Sequence, residues 1–217
     1  MLLNYSPPMT PYLEIIYQDN DLLILNKPSE LLTVPGKDPI HADSLEKRVQ
    51  RVFPTAKIVH RLDMATSGLI CMALHKAAHS HISRQFQDRK TKKRYIARVF
   101  GHLTEDSGSV DLPLICDWPN RPKQMVDFER GKPSLTHWQV LSYEENVTRV
   151  ALTPITGRSH QLRVHMLSQG HVILGDRLYA HPEALAMAPR LQLHAEFLAL
   201  SHPMTEKWLE FTAPCPF

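Results

Sequence analysis

The segment HRLDMATSGL, residues 60–69, places a carboxylate just after two basic side chains. His60 and Arg61 precede Asp63, and small residues follow as far as Gly68. Turns of small residues let a backbone approach a ligand closely, and loops often carry functional groups. A carboxylate in such a turn can attack an electrophilic carbon or accept a proton. The residue pattern alone favours a simpler interpretation, in which Asp63 hydrogen-bonds the backbone of its own turn.

Basic side chains are concentrated in three further segments, although the formal net charge of the 217-residue chain is only +3. A single basic run is usually a solvated face, but three such segments on a mildly basic chain indicate a polarised surface. Cations clustered in this way neutralise phosphates and release their counterions, so the pattern favours a polyanion as partner. The cations of these segments are Arg84, Arg89, Lys90, Lys92, Lys93, Arg94, Arg98, Arg121, Lys123, Arg158, His160, Arg163 and His165.

Tyr95 stands within the basic run of residues 84–98. A strand tyrosine that packs one face of a sheet is the ordinary interpretation, and composition alone favours it. The alternative is an aromatic platform for an unpaired base, which RNA-binding proteins often use.

Several other chemistries lack their sequence signatures. The chain contains no P-loop, GxGxxG fingerprint or GxSxG elbow, which argues against nucleotide cofactors and serine hydrolysis. His75 and His79 have helical spacing, but the glutamate of an HExxH motif is missing, so we expect no metal site. The three cysteines are widely spaced and form neither a disulfide framework nor a zinc pattern. Because a secretory leader and a membrane-length apolar run are also missing, the sequence predicts a soluble, cytoplasmic protein.

Apolar runs and turn residues predict the strands around these side chains. One β-hairpin is predicted around residues 19–21 and another around residues 144–146. A strand at residues 57–60 leads into the Asp63 turn, and an apolar strand at residues 68–74 leaves it.

Three helices are predicted: a short one at residues 44–52, and two that rest on periodicity or on end signals. Ala78, Ile82 and Phe86 repeat every four residues and form one apolar stripe of an amphipathic helix. A third, short helix is predicted between Ser159 as N-cap and Gly170 as stop.

Short strands joined mostly by hairpins, with few helices, predict an α+β fold with a largely antiparallel or mixed sheet. The turn-rich residues 108–125 are predicted to be irregular. The proline-rich residues 1–12 are predicted to form a flexible N-terminal arm, and residues 13–217 a single domain.

Four motifs of the chain resemble those of one enzyme family. HRLDMATSGL resembles the catalytic motif of the RluA family of RNA pseudouridine synthases, and KKRYIARVFG resembles its tyrosine motif. PITGRSHQLRVHM is similar to the basic motif of that family, and LNKPSELLTVPG to its N-terminal motif. HVILGDRLY and LQLHAEFLAL fit its C-terminal portion. The motifs occur in family order over nearly the whole chain, which is therefore identified as a member of this family.

The resemblance implies a fold and an activity. The fold would be that of the pseudouridine synthases: one α+β catalytic domain with a mixed, mainly antiparallel, curved sheet flanked by a few helices. The activity would be an isomerase that converts specific uridines to pseudouridine by base flipping, without a cofactor. Its substrates would be hairpin loops of 23S rRNA and anticodon stem-loops of tRNA. RNA would be the only partner of a monomeric enzyme that contacts neither a membrane nor another protein.

The resemblance also implies residue roles. Asp63 resembles the essential aspartate, Arg163 its basic partner, and Tyr95 the tyrosine that stacks on the target base. Three routes stay open for Asp63: attack at C6 of uracil, trapping of C1′ as an ester, or removal of the C2′ proton. Arg61 would fill the stack that the flipped base leaves. The residues predicted to contact RNA are His60, Arg61, Arg84, Arg89, Lys92, Lys93, Arg121, Lys123, Arg158 and His160.

The chain departs from the family pattern at Glu30, where the first motif usually carries glycine. If that position requires a positive φ, glutamate costs roughly 1 kcal/mol in local strain.

Two other functions remain compatible with the residues. The chain could be an RNA-binding module without activity. It could also be a hydrolase, a nuclease or glycosidase, in which Asp63 activates water; a partner carboxylate for a glycosidase cannot be identified from the sequence.

Overall fold

The computed structural model describes residues 5–217, which form two compact units. The first unit contains the described residues up to Lys93 together with Ala195–Pro216, and the second contains Arg94–His194 together with Phe217. This part of the chain contains twelve strands and four α-helices. The strands are β1 (Ile15–Gln18), β2 (Leu22–Lys27), β3 (Lys57–Ile58), β4 (Ser67–Ala73), β5 (Lys92–Phe100), β6 (Ser107–Asp111), β7 (Leu114–Cys116), β8 (Gln124–Val126), β9 (Leu135–Glu144), β10 (Val147–Pro154), β11 (Leu193–Ser201) and β12 (Trp208–Thr212). The helices are α1 (Leu45–Gln50), α2 (Lys76–Gln87), α3 (Gln161–Ser168) and α4 (Pro182–Ala186).

In the first unit, the sheet is centred on β2 and β4, which pair antiparallel. β1 pairs with the other edge of β2, β11 follows β4, and β12 pairs with β11. β4 is buried along its whole length, as expected of a strand that is covered on both faces. The predicted stripe of Ala78, Ile82 and Phe86 on α2 packs into the same apolar cluster as Leu69 and Cys71 of β4. This packing anchors the strand that leaves the Asp63 turn.

In the second unit, four antiparallel strands follow the order β5, β10, β9 and β6. β7 and β8 form a separate two-stranded sheet, and α3 lies against β8 and β9. A small apolar cluster of Val147, Val172, Leu174 and Ala184 packs α4 against the start of β10.

The predicted α+β class, with a mixed, mainly antiparallel sheet and few helices, is confirmed. Both predicted hairpins are present, as β1–β2 around residues 19–21 and as β9–β10 around residues 144–146. Among the helices of the described chain, none has the length and apolarity that a membrane crossing requires.

Two local predictions are wrong. Residues 108–125 are not irregular, because they contain β7 and parts of β6 and β8. β7 and β8 have three residues each, too few to show alternation among prolines and turn residues. Ser159 is not the N-cap of α3: His160 has that position, with φ of 53° and no side-chain cap. The side chain of Gln161 instead accepts the backbone N–H of Arg158 at 3.0 Å.

The predicted arm, residues 1–12, is described from Tyr5 onward and has defined contacts there. The Tyr5 hydroxyl donates to the carbonyl oxygen of Asp43 at 2.9 Å. The buried guanidinium of Arg48 donates to the carbonyl oxygen of Pro8 at 2.9 Å and pairs with the Asp43 carboxylate at 2.7 Å. The flexibility of the arm and the boundary of a single domain after it stay predictions.

Gly68, near the start of β4, is expected to be intolerant of any side chain. Its φ is +116°, and a Cβ added there would lie 2.3 Å from the carbonyl oxygen of Ala195. Backbone strain and steric overlap add, so Gly68→Ala should lower the free energy of unfolding by at least about 2 kcal/mol. Urea denaturation of the purified variant measures the loss.

Gly170→Ala is the matched control for this prediction. Gly170 also has a positive φ of +81°, but an added Cβ would meet nothing within 4 Å. Its expected cost is therefore about 1 kcal/mol, from backbone strain alone. Equal losses in the two variants would contradict the steric explanation for Gly68.

Candidate active site

The backbone on both sides of Asp63 is held by hydroxyl groups from another segment. Asp63 itself is half-buried in a turn outside regular secondary structure. Before it, Leu62 exchanges two hydrogen bonds with the Thr33 hydroxyl, which donates to the Leu62 carbonyl at 2.7 Å and accepts its N–H at 3.3 Å. After it, the Ser29 hydroxyl donates to the carbonyl of Ala65 at 2.6 Å. The position of the aspartate therefore depends on contacts distant in sequence.

Lys27 binds the same turn with a buried charge. Its side chain is fully buried, and Nζ donates to the carbonyl oxygens of Met64 at 3.0 Å and of Pro28 and Leu31 at 2.8 Å each. Burying an ammonium costs several kcal/mol unless hydrogen bonds to its three N–H groups compensate. The three carbonyls supply these bonds, and the ammonium thereby joins the Asp63 turn to residues 27–33, which we call the cradle.

Glu30 lies within the cradle and has a φ of +65°. This is the left-handed region, where a residue with a Cβ is strained by about 1 kcal/mol relative to glycine. Position 30 therefore has the positive φ at which glutamate, in place of the usual glycine, is expected to cause local strain. The cradle keeps its hydrogen bonds to the turn with glutamate in place of glycine.

His60 supports the turn from the strand side. Its Nε2 accepts the backbone N–H of Cys71 at 2.9 Å, and its ring stacks on Phe86 with centroids 4.3 Å apart. Burial lowers the pKa of His60 to about 3, and the charge of Lys93 acts in the same direction. The imidazole is consequently neutral, as its role of acceptor requires. These contacts make His60 a structural part of the turn, and its contact with RNA stays a prediction.

Tyr95 lies half-buried on β5, opposite Leu152 of β10. Because side chains alternate along a strand, Lys93 points to the same side as Tyr95. Lys93 is half-buried, and burial lowers the pKa of its ammonium. Lys92 and Arg94 belong to the opposite side and are exposed. The basic run is thus divided by the strand into inward and outward cations.

Arg163 on α3 is buried together with an acid. Its Nε and Nη2 donate to the two carboxylate oxygens of Asp176 at 2.7 and 2.6 Å. Asp176 is fully buried and also accepts the backbone N–H of Leu178 at 2.9 Å. This two-point contact compensates the buried guanidinium and fixes its plane. Asp63 belongs to the first unit, and Arg163 and Tyr95 to the second, so a pocket common to all three stays a prediction.

Tyr179 contacts three residues of the second unit, two of them at the start of α3 and one on β8. The guanidinium carbon of Arg163 lies 5.0 Å from the centre of its ring. Its hydroxyl accepts the backbone N–H of Gln124 on β8 at 2.7 Å and lies 2.7 Å from Nδ1 of His160. The predicted site residues Arg163 and His160 are therefore brought together around one tyrosine.

The cations predicted to contact RNA differ in accessibility. Contact with phosphate requires that the charged end of the side chain be accessible. The exposed residues of the set meet this requirement, and the half-buried ones meet it only in part. Trp118, which the sequence analysis did not single out, is exposed beside one of them: Cζ of Arg121 lies 4.6 Å from the centre of its indole. The exposed members are Arg61, Arg84, Arg89, Lys92, Arg121 and Arg158, and the half-buried ones are His60, Lys93, Lys123 and His160.

One group of acids and histidines has a spacing compatible with a metal. Ligand atoms of Asp19, Asp21 and His202 lie within 4.8 Å of one another. However, Nδ1 of His202 accepts the backbone N–H groups of Met204 and Thr205 at 3.2 and 3.1 Å. A neutral imidazole that accepts at Nδ1 carries its proton on Nε2, which here faces an Asp19 oxygen at 2.9 Å. The geometry therefore favours a hydrogen-bonded network over a metal site.

Sequence reasoning missed the residues that hold the others in place. Lys27, Thr33, Asp176 and Tyr179 are polar residue types that are ordinary at a protein surface. What sets them apart is burial next to a site residue, which no pattern in the sequence displays. All four nevertheless lie in segments noted for their fit to the family: Lys27 and Thr33 in LNKPSELLTVPG, and Asp176 and Tyr179 in HVILGDRLY.

The lowered pKa of His60 predicts a pH dependence of stability. Between pH 6.5 and about 3 the unfolded chain binds a proton at His60 that the folded protein does not. The free energy of unfolding should therefore fall as the pH is lowered through this window, with a contribution approaching about 1.4 kcal/mol per pH unit. His60→Gln, whose amide oxygen can accept the Cys71 N–H, should remove this contribution. Urea unfolding at about pH 7 and about pH 5 measures this contribution. An equal change in the free energy of unfolding between the two pH values in both proteins would contradict the assignment.

Comparisons with known proteins agree with the fold and the motifs. A family model described as RNA pseudouridylate synthase matches residues 21–168. The Dual-specificity RNA pseudouridine synthase RluA of Escherichia coli (strain K12) is 59% identical over 215 residues, covering 99% of this chain and 98% of that protein. The protein of the same name from Pasteurella multocida (strain Pm70) is 57% identical over 217 residues, covering 100% and 99%. The solved structure of Human RNA Pseudouridylate Synthase Domain Containing 1 matches with a TM-score of 0.81 and 33% identity, covering 98% of this chain and 87% of that one. The chain belongs to the RNA pseudouridylate synthase family.

Proposed function

We propose that this protein isomerises uridine to pseudouridine in two kinds of RNA. Its substrates are hairpin loops of 23S rRNA and anticodon stem-loops of tRNA. The observation that carries the proposal is the half-buried Asp63 in a turn fixed by the cradle, in a member of this family. The relatives named dual-specificity synthases support the two substrate classes. The cytoplasmic location, the monomeric state and the lack of a cofactor stay predictions.

The proposed reaction is balanced within the uridine and water. The N1–C1′ bond breaks, the uracil rotates, and C5 bonds to C1′. The proton on C5 leaves to solvent, and N1 gains one. The reaction therefore requires neither an oxidant nor a group donor, which is consistent with catalysis by side chains alone.

Asp63 supplies the reactive carboxylate in this proposal. Attack at C6, attack at C1′ and removal of the C2′ proton all need the carboxylate at a defined position, because small displacements of a reacting group are costly in rate. The four cradle contacts on Leu62, Met64 and Ala65 restrict the backbone on both sides of Asp63. The cradle thus serves each of the three routes equally.

Arg163 and Tyr95 complete the proposed site. In the roles that the family resemblance implies, the Arg163 guanidinium keeps the Asp63 carboxylate ionised and oriented, and Tyr95 stacks on the target base. The two hydrogen bonds that Arg163 donates to Asp176 hold its guanidinium in one plane, which reduces the reorientation that catalysis requires.

Base flipping is part of the proposal because a stacked uracil hides the atoms that react. Extrusion costs a few kcal/mol and is easiest in loops, whose bases are loosely stacked. Arg61 is exposed and two residues from Asp63, which suits it to fill the space that the base leaves. The exposed cations Arg84, Arg89 and Lys92, together with Arg121, bind the RNA backbone.

A single assay separates this function from the two alternatives. The purified protein is incubated with unmodified RNA that carries tritium at C5 of uracil. Release of tritium into water with the strand intact supports the isomerase. Strand cleavage or free uracil would indicate a hydrolase, and unchanged RNA a binding module.

We expect Asp63→Asn to abolish tritium release and to leave RNA binding intact. The amide is nearly isosteric with the carboxylate but cannot act as nucleophile or base in any of the three routes. Filter binding measures affinity in parallel. Asp106→Asn, which changes an exposed acid in the turn before β6, is the matched control and should retain full turnover. Turnover by Asp63→Asn would contradict the role of the carboxylate.

We expect Lys92→Gln to weaken the salt dependence of RNA binding. Lys92 is exposed, with Nζ 5.6 Å from the centre of the Trp208 ring, and each lost phosphate contact removes roughly 0.7–0.9 from the slope of log K against log salt concentration. Lys207→Gln, which removes another exposed lysine of the first unit, is the control and should keep the slope. An unchanged slope in the Lys92 variant would indicate that this part of the basic run is a solvated face.

A further inference from the structure

The contacts of Tyr179 differ from those of a tyrosine that only fills space. Its backbone N–H donates at 3.3 Å to the same Asp176 carboxylate that holds Arg163, and its ring lies against the Arg163 guanidinium. Its hydroxyl is used as well, by Gln124 and His160. One residue is thus bound to the partner of Arg163, to Arg163 itself and to the start of β8.

The hydrogen bonds of the phenol have a definite direction. The Gln124 N–H donates to the Tyr179 oxygen, and we assign the phenol proton to Nδ1 of His160. His160 has a φ of 53°, a conformation that is strained for a residue with a Cβ. The bond to Tyr179 helps to hold this residue, and with it the start of α3, where Arg163 is located.

The strand bound by Tyr179 belongs to a hairpin with the chemistry of an RNA contact. β7 and β8 are joined by the loop of residues 117–123, in which Trp118 begins a short 3-10 helix, is 64% exposed and stacks with Arg121. An exposed indole beside a guanidinium is suited to an unpaired base and its phosphate. Gln124 is the first residue of β8 and pairs with Cys116, the last residue of β7. The Tyr179 hydroxyl therefore binds the hairpin at the residue that follows the exposed loop.

We propose that Tyr179 is a positioning residue that couples the β7–β8 hairpin to Arg163. RNA held by the hairpin restrains β8, the hydroxyl transmits that restraint to the ring, and the ring keeps the guanidinium in its reactive orientation. The inference rests on the proposed function, because it assigns Arg163 a part in the reaction. It adds that RNA contact at the hairpin raises the rate and not only the affinity.

Tyr179→Phe tests this coupling because it removes the hydroxyl and keeps the ring. The loss of one well-made hydrogen bond corresponds to a decrease of about threefold to tenfold in kcat for tritium release. RNA affinity should remain as in the unmodified protein, since no RNA-contacting group is removed. Tyr143→Phe is the matched control: it removes a hydroxyl of the second unit that donates to the Leu103 carbonyl at 3.2 Å, and its kcat should be unchanged.

A double-mutant cycle separates coupling from a general loss of stability. Arg121→Ala alone should lower both RNA affinity and kcat. In the Tyr179→Phe background it should lower affinity by the same factor and leave kcat unchanged, because the connection is already broken. Additive effects on kcat, or a folded Tyr179→Phe protein with unreduced kcat, would overturn the inference.

Two further observations keep the test decisive. Thermal unfolding shows whether each variant is folded; if Tyr179→Phe is not, His160→Asn, which tolerates the left-handed backbone, replaces it. Because His160 is itself predicted to contact RNA, only kcat at saturating RNA is compared for that variant, and it should fall by a similar factor. Tritium release by the unmodified protein is measured in the same series. Its failure would contradict the proposed function, whereas activity that Tyr179→Phe fully retains would overturn only the coupling.

Discussion

The Asp63 turn depends on a buried ammonium. Lys27 leaves β2 and donates to carbonyl oxygens of the cradle and of the turn, so that two segments more than thirty residues apart share one charge. Removing either partner would leave a charge or several carbonyls buried without compensation, which is among the most costly defects in a protein. The position of the carboxylate is therefore maintained by the energetics of a buried charge.

Both units use the same principle: a buried charge fixes a functional side chain or segment. In the first unit, Arg48 pairs with Asp43 and holds the described part of the N-terminal arm against α1. In the second unit, Asp176 holds Arg163 by two hydrogen bonds. Buried ion pairs add little to net stability but are strongly directional once formed. Their value here is orientation, because each pair restricts the geometries that its side chains can adopt.

Regular periodicity made much of the fold predictable. The stripe of α2, the hairpins on either side of it and the strand that leaves the Asp63 turn are all encoded by neighbours in sequence, and they form as predicted. The β7–β8 hairpin was missed because strands of three residues carry no readable alternation. The start of α3 was misplaced because the side chain of Gln161 satisfies the Arg158 N–H, a bond that depends on the loop's conformation and not on its composition.

The sequence by itself determined which residues are candidates for the reaction and, through the order of its motifs, the family. Asp63, Tyr95 and Arg163 could be selected before any coordinates were known, because their types and motif contexts are local properties. Only the tertiary structure decided which groups hold them. Lys27 and Asp176 are buried by strands and loops that are distant in sequence, and burial changes a common surface charge into a directional constraint. The same burial makes His60 a neutral acceptor and turns Lys93 inward while its neighbour Lys92 stays in water.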